Sequence, residues 1–167
     1  MKKFYEKDLE EIIFNATKEQ LESRGLCVDG RMMRQVSVGK YGRIDLLTIS
    51  RSNYEGEHFE KYLDITIYEL KEDKIGIGAF FQAIGYAKGI QKYMEKRRYY
   101  NFSLNIVLIG GSIDLSGSFC YLPDLFNTIP LSYTRPSINS ITFYTYDYNI
   151  DGIIFKDESG YYIPNSL

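Results

Sequence analysis

The chain has 167 residues, of which 44% are hydrophobic and 25% are charged, a composition typical of one globular domain with a single core. The net charge of -2 and an isoelectric point of about 5.5 exclude a protein that binds nucleic acid through a strongly basic overall charge, so any such surface would have to be local. No run of about 20 apolar residues occurs, and we therefore expect no membrane span.

The amino terminus and the cysteines indicate a compartment. The first residues turn acidic by Glu6 and lack the apolar segment of a secretory signal. Cys27 and Cys120 are far apart in sequence, fit no metal-ligand spacing and are typical of reduced thiols. We expect a cytoplasmic protein.

Hydrophobic spacing predicts secondary structure along most of the chain. Apolar residues three and four apart indicate helices, and alternating or continuous apolar runs rich in β-branched residues indicate strands. In chain order, the predicted elements are a helix over 4–24, two strands within 32–50 around a turn at 39–42, a polar hairpin loop over 51–61, a strand over 63–71, a turn over 72–78, a helix over 79–97, a strand over 103–109, strands over 141–146 and 152–155, and a hairpin ending at 161–163.

This order of elements predicts an α/β fold in which helices flank a central mixed β-sheet and the carboxy-terminal part is rich in strands. We expect a single domain over 1–167. Its core would cover about 4–110, and a β-rich extension would cover about 111–167.

Two predicted strands carry charges on faces that their aliphatic residues mark as buried. Because side chains alternate along a strand, Glu69 and Lys71 share a face with three aliphatic residues, and Asp45 shares one with two aliphatic residues of the preceding strand. A buried charge is costly unless it is paired or binds a metal. Singly, Glu69 and Lys71 are also typical of an exposed strand end and Asp45 of a turn, so the combination carries the prediction.

These residue types suit a Mg²⁺ site, with Mn²⁺ able to substitute. Asp45 and Glu69 would supply carboxylates, and the backbone carbonyl of Leu70 a third oxygen. The metal would activate water and neutralise charge on a phosphate. Lys71, about 7 Å along the same face, would orient the attacking water or stabilise the transition state.

Helical geometry adds further candidates. We expect Gln82 at the start of the second helix, where its neutral amide suits a water or a phosphate oxygen, with Tyr86 one turn later on the same face. On the first helix, steps of about 100° per residue place Glu6 with the buried stripe, Glu10 as the reserve acid and Glu11 on the opposite, solvent-facing side.

Four motifs stand in a fixed order over about 4–93: Glu6-x-x-Leu9, Gly42-Arg43-Ile44-Asp45-Leu46-Leu47, Glu69-Leu70-Lys71 and Gln82-x-x-x-Tyr86. Together they resemble the PD-(D/E)XK nuclease superfamily. Arg34-Gln35 ahead of Gly42 strengthens the likeness to its branch of archaeal-type endonucleases that act on branched, flapped or mismatched DNA. The resemblance implies a restriction-endonuclease-like core, metal binding by Asp45 and Glu69, catalysis by Lys71, accessory roles for Gln82 and Glu6, and, in some members, a homodimer.

The implied function is a Mg²⁺-dependent nuclease that hydrolyses DNA phosphodiester bonds in repair, restriction or defence against mobile elements. Arg43, Tyr86, Lys88 and Lys92 are the candidate DNA-binding residues, although a lysine stripe is equally typical of a solvated helix face. No nucleotide cofactor is expected, because the glycine pattern before the second helix is incomplete. The alternatives are a catalytically silent nucleic-acid-binding or protein-interaction module with the same fold, and a small structural subunit.

Overall fold

A mixed sheet of six strands organises the part of the chain that the structure, a computed structural model, describes, namely residues 5–53, 61–114, 116 and 138–158. The helices are α1 (Glu6–Asn15), α2 (Lys18–Ser23) and α3 (Ile77–Lys96), and a 3-10 turn covers Gly39–Tyr41. The strands are β1 (Arg31–Ser37), β2 (Arg43–Asn53), β3 (Lys61–Leu70), β4 (Lys74–Ile75), β5 (Phe102–Gly110), β6 (Ser112–Ile113), β7 (Ile138–Asn149) and β8 (Gly152–Asp157). The predicted α/β fold with a central mixed sheet is confirmed.

The main sheet has the strand order β1-β2-β3-β5-β7-β8. The pairs β1–β2, β2–β3 and β7–β8 are antiparallel, whereas β3–β5 and β5–β7 are parallel. The crossover between the parallel strands β3 and β5 runs through α3, and β4 and β6 form a small parallel pair of their own. The predicted β-rich carboxy-terminal part therefore supplies β7 and β8 to the same sheet.

Helices cover both faces of this sheet because its strands are apolar on both sides. On one face α3 packs its buried residues, such as Phe80 and Ala83, against aliphatic side chains of β2, β3 and β5 that include Ile67. On the other face α1 and α2 pack against a second cluster that contains Leu9 and Tyr68. No helix within the described ranges is both long enough and apolar enough to cross a membrane.

The amino-terminal helix is interrupted, and the prediction of one continuous helix over 4–24 is wrong. Ala16 is extended, with ψ 149°, and α2 starts again behind Thr17. The hydroxyl of Thr17 accepts a hydrogen bond from the amide of Gln20, whose side chain accepts one from the amide of Thr17. This capping box fixes a new helix start, and it leaves Gln20 exposed rather than on the buried stripe.

Other boundaries also shifted. β2 extends to Asn53 and β3 begins at Lys61, so the predicted loop is shorter at both ends, and its centre at 54–60 lies outside the described residues. α3 begins at Ile77, two residues earlier than expected. Cys27 is exposed, while Cys120 and the hairpin ending at 161–163 lie outside the described residues.

The connection between β1 and β2 depends on glycine at position 42. Gly42 has φ 110° and ψ -148°, a region that is essentially restricted to glycine. A Cβ atom there would lie 2.9 Å from Cε1 of Tyr86. Gly39, in the same turn, has φ 64° and open space around its Cα.

We therefore expect Gly42→Ala to lower the free energy of unfolding by about 3 kcal/mol, because it combines an unfavourable backbone conformation with a clash against Tyr86. Gly39→Ala is the matched control, and it should cost about 1 kcal/mol, since only the left-handed conformation is penalised. Urea unfolding of both variants measures the difference. Equal losses would mean that the contact with Tyr86 is unimportant.

Candidate active site

The predicted site residues meet where β2 and β3 separate. The β2–β3 ladder ends one position before Asp45 and Glu69. Beyond that point the amide of Leu70 donates to Oδ2 of Asp45 at 3.0 Å, and the amide of Lys71 donates to the carbonyl of Ile109 on β5 at 2.8 Å. A strand that leaves its neighbour frees amides that need new partners, and the carboxylate of Asp45 supplies one and is oriented by it.

Three neighbouring strands carry polar residues at this level of the sheet. The register of the flanking pairs places Gln35 on β1 opposite Asp45 on β2, and Asp45 opposite Glu69 on β3. Gln35 has φ 52°, which is uncommon for a residue other than glycine. Its side-chain amide donates to Oε2 of Glu10 on α1, a bond that favours the unusual backbone conformation.

Glu69 is fully buried, and among the N–H and O–H groups of the described residues only Nζ of Lys71 donates to its carboxyl group, which also lies within reach of the carboxyl group of Asp45. Oε1 accepts a hydrogen bond from Nζ of Lys71 at 2.5 Å, whereas Oε2 has none among the described residues. Burial, and after it the charge of Asp45, raise the pKa of Glu69 to about 7, although Lys71 opposes the shift. An unpartnered buried carboxyl oxygen is costly, and a proton or a cation would relieve that cost.

The neighbouring charges are coupled to this carboxyl group. Burial raises the pKa of Asp45, although the amide of Leu70 opposes the shift. Burial alone would lower the pKa of Lys71, but the carboxylates of Glu69, Glu6 and Asp45 outweigh it, and the pKa of Lys71 is raised. Lys71 therefore carries a proton at neutral pH and is held by acids on two sides.

Both acids of α1 that were predicted as candidates border the site. Oε2 of Glu6 lies 3.7 Å from Nζ of Lys71, and burial raises the pKa of Glu6 despite that lysine. Glu10, predicted only as the reserve, is the more deeply buried and contributes to the raised pKa of Asp45. Glu11 is exposed, as expected.

Arg34 and Gln35 were missed as residues that contact the acids of the site. Nε of Arg34 lies 2.9 Å from Oε1 of Glu10, as an ion pair without hydrogen-bond geometry. The sequence feature that could have indicated this role is the position of these two polar residues between the apolar residues Met33 and Val36 of β1. A polar interruption of an edge strand is common, so this feature did not indicate a partner on α1.

Gln82 and Tyr86 lie one turn apart on the same face of α3, as predicted, and Nε2 of Gln82 donates a hydrogen bond of 2.6 Å to the tyrosine hydroxyl. Burial raises the pKa of Tyr86, and the charges of Glu69 and Asp45 add to the shift, so this ring lies near the acids. The expectation that Gln82 opens the helix is wrong. It is the sixth residue of α3, because the glycine-rich segment assigned to a turn contains the helix start at Ile77.

The predicted DNA-binding residues Arg43, Lys88 and Lys92 are exposed. Arg43 is the first residue of β2, and the two lysines lie on the outer face of α3. Among the described residues, none of the three forms an ion pair with the carboxylates of the site. The structure therefore places them on the surface, and their role is still a prediction.

A divalent cation was predicted for this site. In the described part of the chain, no group of three or more His, Cys, Asp and Glu side chains is arranged to hold a metal ion. The predicted set has only two such side chains, Asp45 and Glu69, and a backbone carbonyl. The fit of a cation rests instead on the unpartnered Oε2 of Glu69 beside a second carboxylate, the kind of oxygen donor that Mg²⁺ prefers.

Comparison with known proteins gave no match to a family model, to a curated protein or to a solved structure. The resemblance to a nuclease superfamily therefore rests on the sequence motifs alone.

The raised pKa of Glu69 predicts how stability changes with pH. The pKa lies above its ordinary value of 4.5 in the folded protein, so the folded state binds this proton more tightly than the unfolded chain. The resulting stabilisation is complete below about pH 4.5 and is lost as the pH rises through about 7. Without divalent cations, the wild type should lose on the order of 3 kcal/mol relative to Glu69→Gln between about pH 5 and pH 8.

Urea unfolding of both proteins at several pH values measures this difference. Glu22→Gln is the control, because Glu22 is exposed and, among the described residues, pairs with Lys18 on the surface of α2, so this substitution leaves the buried carboxyl group of Glu69 in place. If the curve of Glu69→Gln runs parallel to that of the wild type, the carboxyl group does not titrate near neutrality.

Proposed function

We propose that the protein is a metal-dependent nuclease of the PD-(D/E)XK type that hydrolyses phosphodiester bonds in DNA. The observation that carries the proposal is the fully buried Glu69, which has an unpartnered carboxyl oxygen beside Asp45 and holds Lys71 on its other oxygen. Two acids and a lysine at a fork between strands form an arrangement that a divalent cation and a phosphate would complete.

The fold supports this proposal. The acids lie on adjacent antiparallel strands of a mixed sheet, and α1 and α3 each bring further polar residues to the same end of these strands. A mixed sheet flanked by helices supports the restriction-endonuclease-like core that the resemblance implies.

Asp45 and Glu69 would hold the metal ion, with the carbonyl of Leu70 as a third oxygen. Mg²⁺, or Mn²⁺ in its place, supplies Lewis acidity toward the phosphate and the attacking water. The amide of Leu70 keeps the carboxylate of Asp45 oriented, as the 3.0 Å hydrogen bond between them indicates.

Lys71 would act on the phosphate or the attacking water. Its amine is protonated because the surrounding carboxylates raise its pKa, and a fixed positive charge stabilises the negative charge that develops in the transition state. Glu6, 3.7 Å from the amine, gives Lys71 a second partner that would hold it in place while Glu69 engages a cation.

The substrate would be held by local positive charge, because the protein as a whole is acidic. Exposed Arg43, Lys88 and Lys92 suit contacts with phosphate, which position a nucleic acid without reading its sequence. A homodimer, implied by the resemblance, would repeat this surface on a second copy.

Cleavage assays test the proposal. Purified protein is incubated with linear, branched and single-stranded DNA in Mg²⁺ or Mn²⁺. We expect cutting by the wild type and a loss of about 100-fold or more in Asp45→Asn and Lys71→Ala, since the first change removes a carboxylate that would hold the metal ion and the second removes the positive charge that would act at the phosphate.

Two matched controls separate this effect from general damage. Asp64→Asn makes the same change on the neighbouring strand β3, at a side chain that accepts a hydrogen bond from Ser103, and Lys74→Ala removes an exposed lysine three residues beyond Lys71. Both should cut like the wild type. A wild type that cuts none of the substrates, or a Lys71→Ala variant that cuts normally, would rule out the proposed activity.

A catalytically silent binding module is the second candidate. It is favoured by the 2.5 Å contact between Lys71 and Glu69, which offsets the buried charge without a metal, and by the absence of a three-ligand group among the described residues. Calorimetric titration with Mn²⁺ separates the two candidates. The nuclease requires binding that Glu69→Gln weakens, whereas the silent module predicts DNA binding with neither metal binding nor cutting.

A further inference from the structure

The outer face of α3 carries an exposed aromatic ring next to the candidate site. Phe81 is 63% exposed and directly precedes Gln82, which bonds to Tyr86. Its ring meets the buried ring of Phe80 edge to face, with centroids 5.6 Å apart. That contact orients the ring of Phe81 while most of its surface stays in solvent.

Two glycines near Phe81 place no side chain beside its ring. Gly78 and Gly85 lie one turn before and one turn after Phe81, and a Cβ atom added at either would meet nothing within 4 Å. Glycine inside a helix costs about 1 kcal/mol relative to alanine. Close packing accounts for glycine at position 89, where a Cβ atom would lie 3.0 Å from Val38. It does not account for glycine at positions 78 and 85.

A row of lysines continues the same face of the helix. Lys88, Lys92 and Lys96 follow Phe81 by seven, eleven and fifteen residues, which places them within about 60° of it around the helix and about 6 Å apart along it. All three are exposed, and no carboxylate in the described ranges pairs with them. From Ile77 to Arg98 the chain has five basic residues and one acidic residue.

We propose that this face binds a single-stranded segment of nucleic acid, with an unpaired base stacked on Phe81 and the following phosphates along Lys88, Lys92 and Lys96. The inference rests on the proposed function, because it names the form of substrate that the same site receives. Aromatic side chains stack on any base, and lysines neutralise the backbone. A paired base already stacks within its duplex, so Phe81 selects a base that is unpaired or displaced.

Charge argues against a second copy of the chain as the occupant. Two copies that pair through this face would bring lysine rows of the same sign together, and like charges across an interface are unfavourable. Besides Phe81, the exposed apolar surface here includes Ile77, one turn earlier on the same side of the helix and 46% exposed, while Gly78 and Gly85 add no side chains to it. A polyanion that carries flat apolar groups fits both features.

A fluorescence experiment tests the stacking. The chain contains no tryptophan, so Phe81→Trp introduces a single indole that is excited at the red edge of its absorption, away from tyrosine. Oligothymidylate should quench this fluorescence, and a blunt duplex should not. Tyr100→Trp, at a position 58% exposed and beyond the end of α3, is the matched control and should not be quenched by either.

Binding measurements complete the test. In fluorescence anisotropy with EDTA present, Phe81→Ser should bind oligothymidylate roughly tenfold more weakly, as expected for one lost base stack, and Phe81→Tyr should bind like the wild type. Each of Lys88→Ala, Lys92→Ala and Lys96→Ala should reduce the slope of log affinity against log salt by about 0.7.

The outcomes separate this inference from the nuclease proposal. Strong quenching without any DNA cleavage supports the single-strand surface and overturns the nuclease. Cleavage that Phe81→Ser leaves unchanged, together with an unquenched Phe81→Trp, overturns the surface and leaves the nuclease standing. A change from dimer to monomer in Phe81→Ser, measured by sedimentation with DNA binding intact, would assign the face to a second copy and also overturn the inference.

Discussion

The buried carboxyl group of Glu69 is the constraint on which the arrangement of this end of the sheet depends. It lies opposite a second acid, Asp45, and burial raises the pKa of both carboxyl groups, so both resist ionisation. The amine of Lys71 donates a hydrogen bond to one oxygen of Glu69, and the amide of Leu70 donates one to the carboxylate of Asp45. Both bonds reduce the free-energy cost of burying negative charge. Each compensating group is available because β3 leaves β2 at this level. Continued pairing would give the amide of Leu70 a backbone partner and leave Asp45 without a donor.

Polar contacts between α1 and β1 also affect the acids of the site. Glu10 is buried between Arg34 and Gln35 on β1, the edge strand, and its charge acts on Asp45. The left-handed backbone of Gln35 would be unfavourable without this bond. The backbone conformation of Gln35 and the charge near Asp45 are thus linked through Glu10. Helix α1 contributes this charged residue in addition to its apolar packing.

The alternation of side chains along a single strand was enough to predict that Glu69 is buried. Alternation along 63–71 placed Glu69 on the buried face, which is confirmed, because the two-residue period is a property of the strand itself. Helix boundaries were less predictable, since apolar spacing continued across the break at Ala16 and glycines around Ile77 were typical of a turn. The burial of Glu10 was not predictable, because its partners lie on a strand more than 20 residues away.

Net charge gave a misleading impression of the surface, because opposite charges are separated in this protein. Glu6, Asp45 and Glu69 gather around one lysine at the fork, whereas the exposed charged residues of α3 are three lysines and one glutamate. The two regions meet on α3, whose inner side brings Tyr86 near the acids and whose outer side carries Phe81 and the lysines. Under the proposed function, a polyanion bound along the lysines would meet the carboxylates on the Tyr86 side of α3, and a cation at the acids would offset their repulsion of its phosphates.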